Sequence, residues 1–334
     1  MFFGQIAVFF LLIAFGGALY WRRARETELR GSVQESQGFM LDLVEEAKRG
    51  RLDPIVGMDS VVERVIHVIA RKSKNNPLLL GEPGVGKTAV VEALAQRIAA
   101  KEVPKVFHNK KLLVLNLGDL MAGTKMRGEL EGRLRRLLAS LEDHSREYIL
   151  FIDEIHMIEQ ARGSEGSLDM ADVLKPALSR GDLQVIGATT WSEYEQYLKP
   201  DAAIDRRFQP VLVEEPSREQ AVDILRGVKT TYEDFHGVCI PDQVIKEAVD
   251  ASMKIIKDRF LPDKAFDVID EACAKVSIES GKPHHATHLG VLHAASAHAK
   301  NECPVGVPVV TRKDIDEVAR QWSKHHVKPR HTQK

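Results

Sequence analysis

The amino-acid sequence predicts an α/β fold, in which a parallel five-stranded sheet is wound by helices and a small C-terminal helical domain follows. Short apolar strands alternate with helical segments between residues 76 and 213, which is typical of a parallel sheet with right-handed crossovers. From Ser217 onward strand signals stop while helical periodicity continues, so we expect a separate helical unit there. Ligands of such sheets bind beyond the carboxyl ends of the strands.

The composition is that of an ordinary globular protein. The chain has 334 residues, of which 44% are hydrophobic and 28% are charged, which suggests about two compact units. The net charge of -1 argues against a nucleic-acid partner, because a polyanion normally needs a basic face. Three widely spaced cysteines without CxxC pairs predict neither a disulfide framework nor a zinc site, and they favour a reducing compartment.

The N-terminal segment predicts a single membrane-spanning helix. Residues 2–21 carry no charged side chain, and a helix of that length is roughly 30 Å long, enough to cross a bilayer. A secretory signal peptide is the alternative, but no basic region precedes the apolar run. Because Arg22, Arg23 and Arg25 follow it, we expect an N-terminus outside and the rest of the chain at the cytoplasmic face of a bacterial-type inner membrane.

The other elements follow from periodicity and turn residues. The expected strands are 77–80, 112–117, 148–153, 183–188 and 210–213, and the expected helices are 39–48, 61–72, 89–98, 127–141, about 217–230, 241–256 and 262–279. Ser217 and Gln220 form a capping box that starts the helical unit. The expected divisions are an anchor (1–25), a tether and first helix (26–50), a large α/β domain (51–215), a small helical domain (216–282), and a linker, helix and basic tail (283–334).

A glycine-rich loop connects the first strand of the sheet to the next helix. It has the pattern G-x-x-x-x-G-K-[ST], in which converging backbone N–H groups and a helix N-terminus bind phosphate. Lys87 is expected to reach the β- and γ-phosphates of a nucleotide, and the Thr88 hydroxyl to bind Mg²⁺. The predicted nucleotide-binding residues of this loop are Gly81, Glu82, Pro83, Gly84, Val85, Gly86, Lys87, Thr88 and Ala89.

Polar residues follow the later strands, where the catalytic half of a nucleotide site is expected. Asp153 and Glu154 end an apolar strand, as in a Walker B element, so Asp153 is predicted to hold Mg²⁺, partly through water, and Glu154 to activate the attacking water. Thr190 ends the next strand and is predicted to hold that water or to sense the γ-phosphate. Arg206 and Arg207 offer guanidinium groups that suit a phosphoryl transition state, although such a pair without context is more often part of a solvated face.

Five segments resemble the first ATPase module of the Clp/ClpB-type AAA+ unfoldases, and the match covers most of residues 39–280. They are LDPIVG (52–57), NNPLLLGEPGVGKTA (75–89), GATTWSEY (187–194), DAAIDRRF (201–208) and LPDKAFDVIDEA (261–272). The resemblance implies an AAA+ P-loop NTPase fold with a helical lid, and Mg²⁺-dependent hydrolysis of ATP. It implies that Ile55 and Val56 contact adenine and that Thr190 is a sensor. It also implies that Arg206 and Arg207 are arginine fingers for a neighbouring subunit, and hence that the chain forms a homo-oligomeric ring, expected as a hexamer.

The sequence departs from that family at three places. Lys125, Met126 and Arg127 occupy the position of a substrate-gripping pore loop, with methionine where an aromatic residue is usual. No second ATPase module is expected, and the membrane anchor takes the place of an amino-terminal substrate-binding domain. The expected function is therefore a membrane-anchored AAA+ ATPase that remodels or unfolds proteins.

Two other functions remain open on the sequence. The first is an ATP-gated component that moves subunits of a membrane complex without threading a chain. The second is a nucleic-acid motor or clamp loader, which the near-neutral charge disfavours.

Overall fold

The computed structural model describes residues 40–117, 127–142, 147–160, 170–180, 183–281 and 303–325. The predicted anchor and tether up to residue 39 lie outside these ranges, and so do Lys125 and Met126 of the predicted pore loop. Arg127, the third residue of that loop, begins a helix. None of the helices within the described ranges is both long and apolar enough to cross a bilayer.

The described chain comprises a large α/β domain and a small helical domain, called the lid below. The strands are β1 (Met40–Asp42), β2 (Asn76–Leu80), β3 (Lys111–Leu115), β4 (Tyr148–Ile152), β5 (Gln184–Thr189) and β6 (Phe208–Leu212). The helices of the large domain are α1 (Leu43–Lys48), α2 (Asp59–Ile69), α3 (Lys87–Ala100), α4 (Arg127–Glu142), α5 (Met157–Gln160), α6 (Met170–Arg180), α7 (Trp191–Glu193) and α8 (Ala202–Asp205). The lid helices are α9 (Arg218–His236), α10 (Asp242–Ile255), α11 (Asp263–Glu279) and α12 (Arg312–His325).

The strands form one sheet in the order β1-β3-β4-β5-β2-β6. Strands β2 to β6 are parallel to one another, which confirms the predicted five-stranded parallel sheet. Strand β1 adds an antiparallel edge next to β3, with Met40 opposite Leu115. The helix predicted over residues 39–48 is therefore shorter, because the Asp42 side chain accepts hydrogen bonds from the Val44 and Glu45 N–H groups and starts α1 at Leu43.

The central strands β2, β4 and β5 are buried on both faces, so they are largely apolar. Successive residues of a strand point to opposite faces, and accordingly Leu78 and Leu80 lie in one hydrophobic cluster while Leu79 lies in the other. Helix α3 packs on the Leu79 side through Val90 and Leu94, and α4 contributes Leu134 and Leu137 to the opposite side. The helices thus hold the carboxyl ends of β2, β4 and β5 next to one another at one edge of the sheet.

The lid has its own hydrophobic core, which includes α12. Ile315, Val318 and Ala319 of α12 are fully buried among residues of α9, α10 and α11. This segment belongs to the same compact unit as residues 217–281, whereas the sequence suggested a division near residue 282.

A disulfide joins Cys239 to Cys303, although the spacing of the cysteines indicated no disulfide framework. The 64-residue separation of the two cysteines explains why their spacing gave no signal.

Candidate active site

The phosphate loop joins β2 to α3 in the conformation that its glycines allow. Gly84 and Gly86 have φ values of +81° and +101°, a region that side-chain-bearing residues rarely adopt. Lys87 is the first residue of α3, is 8% exposed, and donates hydrogen bonds from Nζ to the Gly81 and Glu82 carbonyls at 2.9 and 3.2 Å. A buried ammonium, a helix N-terminus and glycine N–H groups together form a site for phosphate.

Thr88 and Asp153 meet at the carboxyl ends of β2 and β4. The Thr88 hydroxyl donates a hydrogen bond to Asp153 Oδ2 at 3.2 Å, although the two residues are 65 positions apart. A hydroxyl and a carboxylate oxygen are ligands that Mg²⁺ accepts, and few are needed because the ion retains several waters. These two side chains therefore fit the predicted magnesium site.

Glu154 follows Asp153 in a strained backbone conformation. Its φ is +48°, which is uncommon for a residue with a side chain, and its N–H donates to Asp153 Oδ1 at 3.0 Å. Burial raises the pKa of the Glu154 carboxyl, and the neighbouring carboxylates of Asp153 and Glu193 raise it further, against smaller opposing effects of His156 and Lys87. A carboxylate with a raised pKa is a better general base than an ordinary one.

These groups line one cavity of about 440 Å³ between the large domain and the lid. Ten predicted residues line it: Ile55, Val56, Pro83, Gly84, Gly86, Lys87, Thr88, Ala89, Asp153 and Glu154. The predicted Gly81, Glu82 and Val85 do not. Val85 is instead buried in the core, and Gly81 packs so closely that a Cβ atom there would clash with the Val213 carbonyl.

The lid supplies a wall of the cavity that the sequence motifs did not assign. Its residues there are Ile224, Val228, Tyr232, Pro262, Asp263 and Phe266, and the large domain adds Asp53, Pro54, Met58 and Glu92. The available signal was the helical spacing of the apolar lid residues, which does not distinguish a cavity wall from a core.

The segment of Ile55 and Val56 is tied to both domains. Gln96 Nε2 donates to the Asp53 carbonyl at 2.7 Å, and the Thr231 hydroxyl of α9 donates to Asp53 Oδ1 at 3.3 Å. Val56 lies against Gly227 of α9, where a Cβ atom would stand 2.6 Å from its Cγ2. The two residues predicted to contact adenine are thus held between α3 and the lid.

Thr190 lies directly after β5 but does not line the cavity. It is the N-cap of α7, and its hydroxyl donates to Glu193 Oε2 at 2.7 Å while its side chain also accepts from the Glu193 N–H. The hydroxyl that was predicted to hold the attacking water or to sense the γ-phosphate thus also takes part in a capping box.

Arg206 and Arg207 lie after α8 and also do not line the cavity of their own chain. Helix α8 is fixed by Asp201, which accepts from the Ala203 and Ile204 N–H groups and pairs with Lys175 at 2.6 Å. Neither guanidinium has an ion-pair partner among the residues that the structure describes, and Arg207 Nε is buried without a hydrogen bond there. The two cations are therefore available to a group outside the described chain.

Two protein-family models match this chain. The ATPase family associated with various cellular activities (AAA) matches residues 77–213, and an AAA lid domain matches residues 217–302. The boundary between the two matches coincides with the capping box at Ser217.

Curated relatives and solved structures give the same assignment. The chaperone protein ClpB of Rickettsia bellii is 50% identical over 269 residues, which are 80% of this chain and 31% of the relative. ClpB 1 of Thermosynechococcus vestitus is 50% identical over 78% of this chain and 30% of its own length. The chain therefore spans about a third of the curated relatives it matches.

Among solved structures, the S. cerevisiae Hsp104–ADP complex aligns with a TM-score of 0.72 at 39% identity, over 85% of this chain and 44% of that one. The extended S. cerevisiae Hsp104–casein complex aligns with a TM-score of 0.68 at 40% identity, over 79% of this chain and 45% of that one.

The predicted location in a bacterial-type inner membrane is wrong. The relatives are the chaperones ClpB and Hsp104, and no membrane-spanning helix is present among the described residues. Residues 2–21, which were predicted to contact the bilayer, lie outside the described ranges. An uncharged run of that length meets the length requirement of a span, but this requirement alone does not place a chain in a membrane.

Proposed function

From the premise that this chain is an AAA+ ATPase of the ClpB and Hsp104 type, we propose that it assembles into a ring and uses ATP hydrolysis to remodel or unfold proteins. The observation that carries the proposal is the meeting of Lys87, Thr88 and Asp153 at the mouth of one cavity beneath the lid. Relatives with this domain pair include Hsp104, whose complex with casein is among the solved structures.

Each residue of the site has a distinct part in this proposal. Lys87 leaves its two carbonyl partners to bind the β- and γ-phosphates, and the loop N–H groups bind the remaining oxygens. Thr88 and Asp153 hold Mg²⁺, which neutralises phosphate charge when it is bound. Glu154 accepts a proton from the attacking water. Tyr232 and Phe266 of the lid cover the adenine ring of the nucleotide together with Ile55 and Val56.

The first test separates binding from hydrolysis. Lys87→Ala should abolish ATP binding, because it removes the buried charge on the phosphates, whereas Glu154→Gln should bind ATP and fail to hydrolyse it. Lys72→Ala and Glu63→Gln are matched controls at exposed positions away from the cavity, and both should behave like the parent chain. Normal turnover by either site variant would contradict the assignment.

The arginine fingers require a neighbouring subunit. Arg206 and Arg207 lie away from the cavity of their own chain and have no described ion-pair partner, as expected for groups that complete the site of the next subunit. Mixtures of Arg207→Ala and Glu154→Gln chains test this, because one interface in a mixed ring combines an intact Glu154 with an intact Arg207. Mixtures that remain as inactive as each variant alone would argue against a shared site. Light scattering with ATP present will measure the size of the assembly, which is proposed to be a hexamer.

The threading of a substrate chain through the centre of the ring is a separate part of the proposal. It depends on the sequence position of Lys125, Met126 and Arg127, of which the first two lie outside the described residues. Met126→Ala should leave ATP hydrolysis intact and slow the unfolding of a casein-like substrate, with Met253→Ala on the lid surface as a matched control. Equal unfolding by both variants would favour the alternative, an ATP-driven component that moves partner subunits without threading.

A further inference from the structure

A buried histidine contacts the catalytic carboxylate, and neither nucleotide motif accounts for it. His156 is 7% exposed and lies behind Glu154, three residues after Asp153. Its Nδ1 atom is 2.9 Å from the Thr189 hydroxyl and 3.3 Å from one carboxylate oxygen of each of Glu154 and Glu193. One ring nitrogen thus lies among the groups that end β4 and β5.

The hydrogen-bond network fixes which atom carries the proton. The Thr189 hydroxyl donates to Glu193 Oε2 at 2.9 Å, so it has no hydrogen left for His156 and accepts from it instead. A ring proton is therefore assigned to Nδ1, which makes Nδ1 a donor towards Thr189 and an attractive group for the Glu154 carboxylate.

Glu193 makes this arrangement rigid. Its Oε2 also accepts from the N–H and the hydroxyl of Thr190, at 3.0 and 2.7 Å. Burial opposes the charge on Glu193, but these hydrogen bonds and that from Thr189 hold the pKa of its carboxyl below the usual range. The ionised Glu193 thus fixes Thr189, and Thr189 in turn fixes the imidazole ring.

Glu154, in contrast, has few other constraints on its side chain. It is about half exposed, and His156 Nδ1 is the group recorded within ion-pair distance of its carboxylate in the part of the chain that the structure describes. The strained φ of +48° orients the Cα–Cβ bond, but the bonds beyond Cβ remain free to rotate.

We infer that His156 is a positioning residue for Glu154, holding the catalytic carboxylate by its Nδ1–H and linking it through Thr189 to Glu193 at the end of β5. The inference rests on the proposed function, in which Glu154 accepts the proton of the attacking water. In the absence of the imidazole, the carboxylate samples rotamers in which it cannot reach that water. Misplacement by about 1 Å is enough to lower a rate by roughly 100-fold.

The test measures kcat, KM and nucleotide affinity in the full chain. His156→Leu should lower kcat by roughly 10- to 100-fold, while KM for ATP and the affinity for a fluorescent non-hydrolysable ATP analogue stay within about twofold of the parent values. His156→Asn keeps an N–H donor near the position of Nδ1 and should recover most of kcat. If His156 had a purely structural role, the two variants would not differ in kcat while keeping the same KM and nucleotide affinity.

Three further variants make every outcome decisive. His108→Leu replaces another partly buried histidine, whose ring contacts the Val103 carbonyl far from the cavity lining, and should leave kcat unchanged. Glu154→Gln tests the proposed function separately. ATP turnover by that variant would show that Glu154 is not the general base, independently of the results for the His156 variants. If Glu154→Gln is inactive and His156→Leu keeps the parent kcat, the positioning role is wrong. If His156→Leu does not fold, Thr189→Val decides instead, because it removes the hydroxyl that holds the ring; an unchanged kcat would then overturn the inference.

Discussion

Substitution of Gly84 by alanine tests whether the phosphate loop and the lid must touch for the site to work. An alanine Cβ at this position would stand 2.6 Å from Cβ of Asp263, the first residue of α11. Carbon atoms in contact are separated by about 3.5–4.0 Å, so the lid would have to withdraw by about 1 Å. Because a displacement of that size costs up to roughly 100-fold in rate, we expect ATP turnover to fall by roughly 10- to 100-fold.

The same substitution also carries a backbone cost, which a matched variant isolates. Gly50 has a φ of +67°, like the +81° of Gly84, but a Cβ atom there meets nothing within 4 Å. Both alanine variants should therefore lose about 1–2 kcal/mol of stability, which urea unfolding measures. Only Gly84→Ala should also lose ATP affinity, which titration with a fluorescent ATP analogue measures.

A compensating variant identifies the source of the loss. Asp263→Gly removes the side chain that an alanine at position 84 would strike, so the double variant should bind ATP more tightly than Gly84→Ala alone. Parent-like binding and turnover by Gly84→Ala would refute the contact between loop and lid. A double variant no better than Gly84→Ala would show that the loss comes from the loop backbone.

Predictions at three other positions concern the supports of the site. Asp201→Ala should cost roughly 0.5–2 kcal/mol by removing the N-cap of α8, and should lower ATP turnover more than ATP binding. The pKa of Asp201 lies below its ordinary value of 3.8, chiefly because Lys175 donates a hydrogen bond to the Asp201 carboxylate. The stabilisation that Asp201 provides is therefore present above pH 3.8 and is lost as the pH falls further. Acid unfolding of the parent and of Asp201→Ala will measure this loss. Gly187→Ala should cost about 1–3 kcal/mol in urea unfolding, since its Cβ would lie 2.9 Å from side chains on two sides of β5. Cys303→Ser should destabilise the lid by about 2–4 kcal/mol relative to the oxidised parent, and an equal thermal midpoint of the two would contradict a structural role for its bond to Cys239.

The part of the candidate site that could be predicted from the sequence is the part that local backbone chemistry dictates. A loop with φ values near +81° and +101° needs glycine at those positions. The presence of Gly84 and Gly86 in the motif therefore indicates the conformation of the loop. Asp153 was predictable because acids at the tip of an otherwise apolar strand have to lie at the edge of the sheet. Thr88 and Asp153 meet because β2 and β4 flank β5 and these parallel strands end at the same edge of the sheet.

The sequence did not predict features that depend on contacts between distant segments. Tyr232 and Phe266 face the nucleotide cavity because the lid folds back over the sheet, and their helical spacing is the same as that of core residues. A local feature was also missed: Thr190, predicted to hold the attacking water or to sense the γ-phosphate, is in addition the N-cap of α7, which Glu193 three residues later could have indicated. Strand β1 has only three residues, too few for an alternating pattern to be recognised.

The lid and the phosphate loop are connected at the start of α11. Asp263 lies against Gly84 on the cavity side, while the next residue, Lys264, is buried and its Nζ lies 3.7 Å from Glu215, in the segment that leaves β6. The Glu215 carboxylate also accepts from the Leu261 N–H at 2.7 Å, so the first turn of α11 is fixed to the segment between the two domains. Any displacement of the loop by a phosphate group must therefore move α11 or deform it. Because α12 packs on α10 and α11 and shares their core, such a movement is carried to the far side of the lid. The geometry thus provides a packed path from the phosphate loop to the lid surface, which the proposed conversion of ATP hydrolysis into domain movement would use.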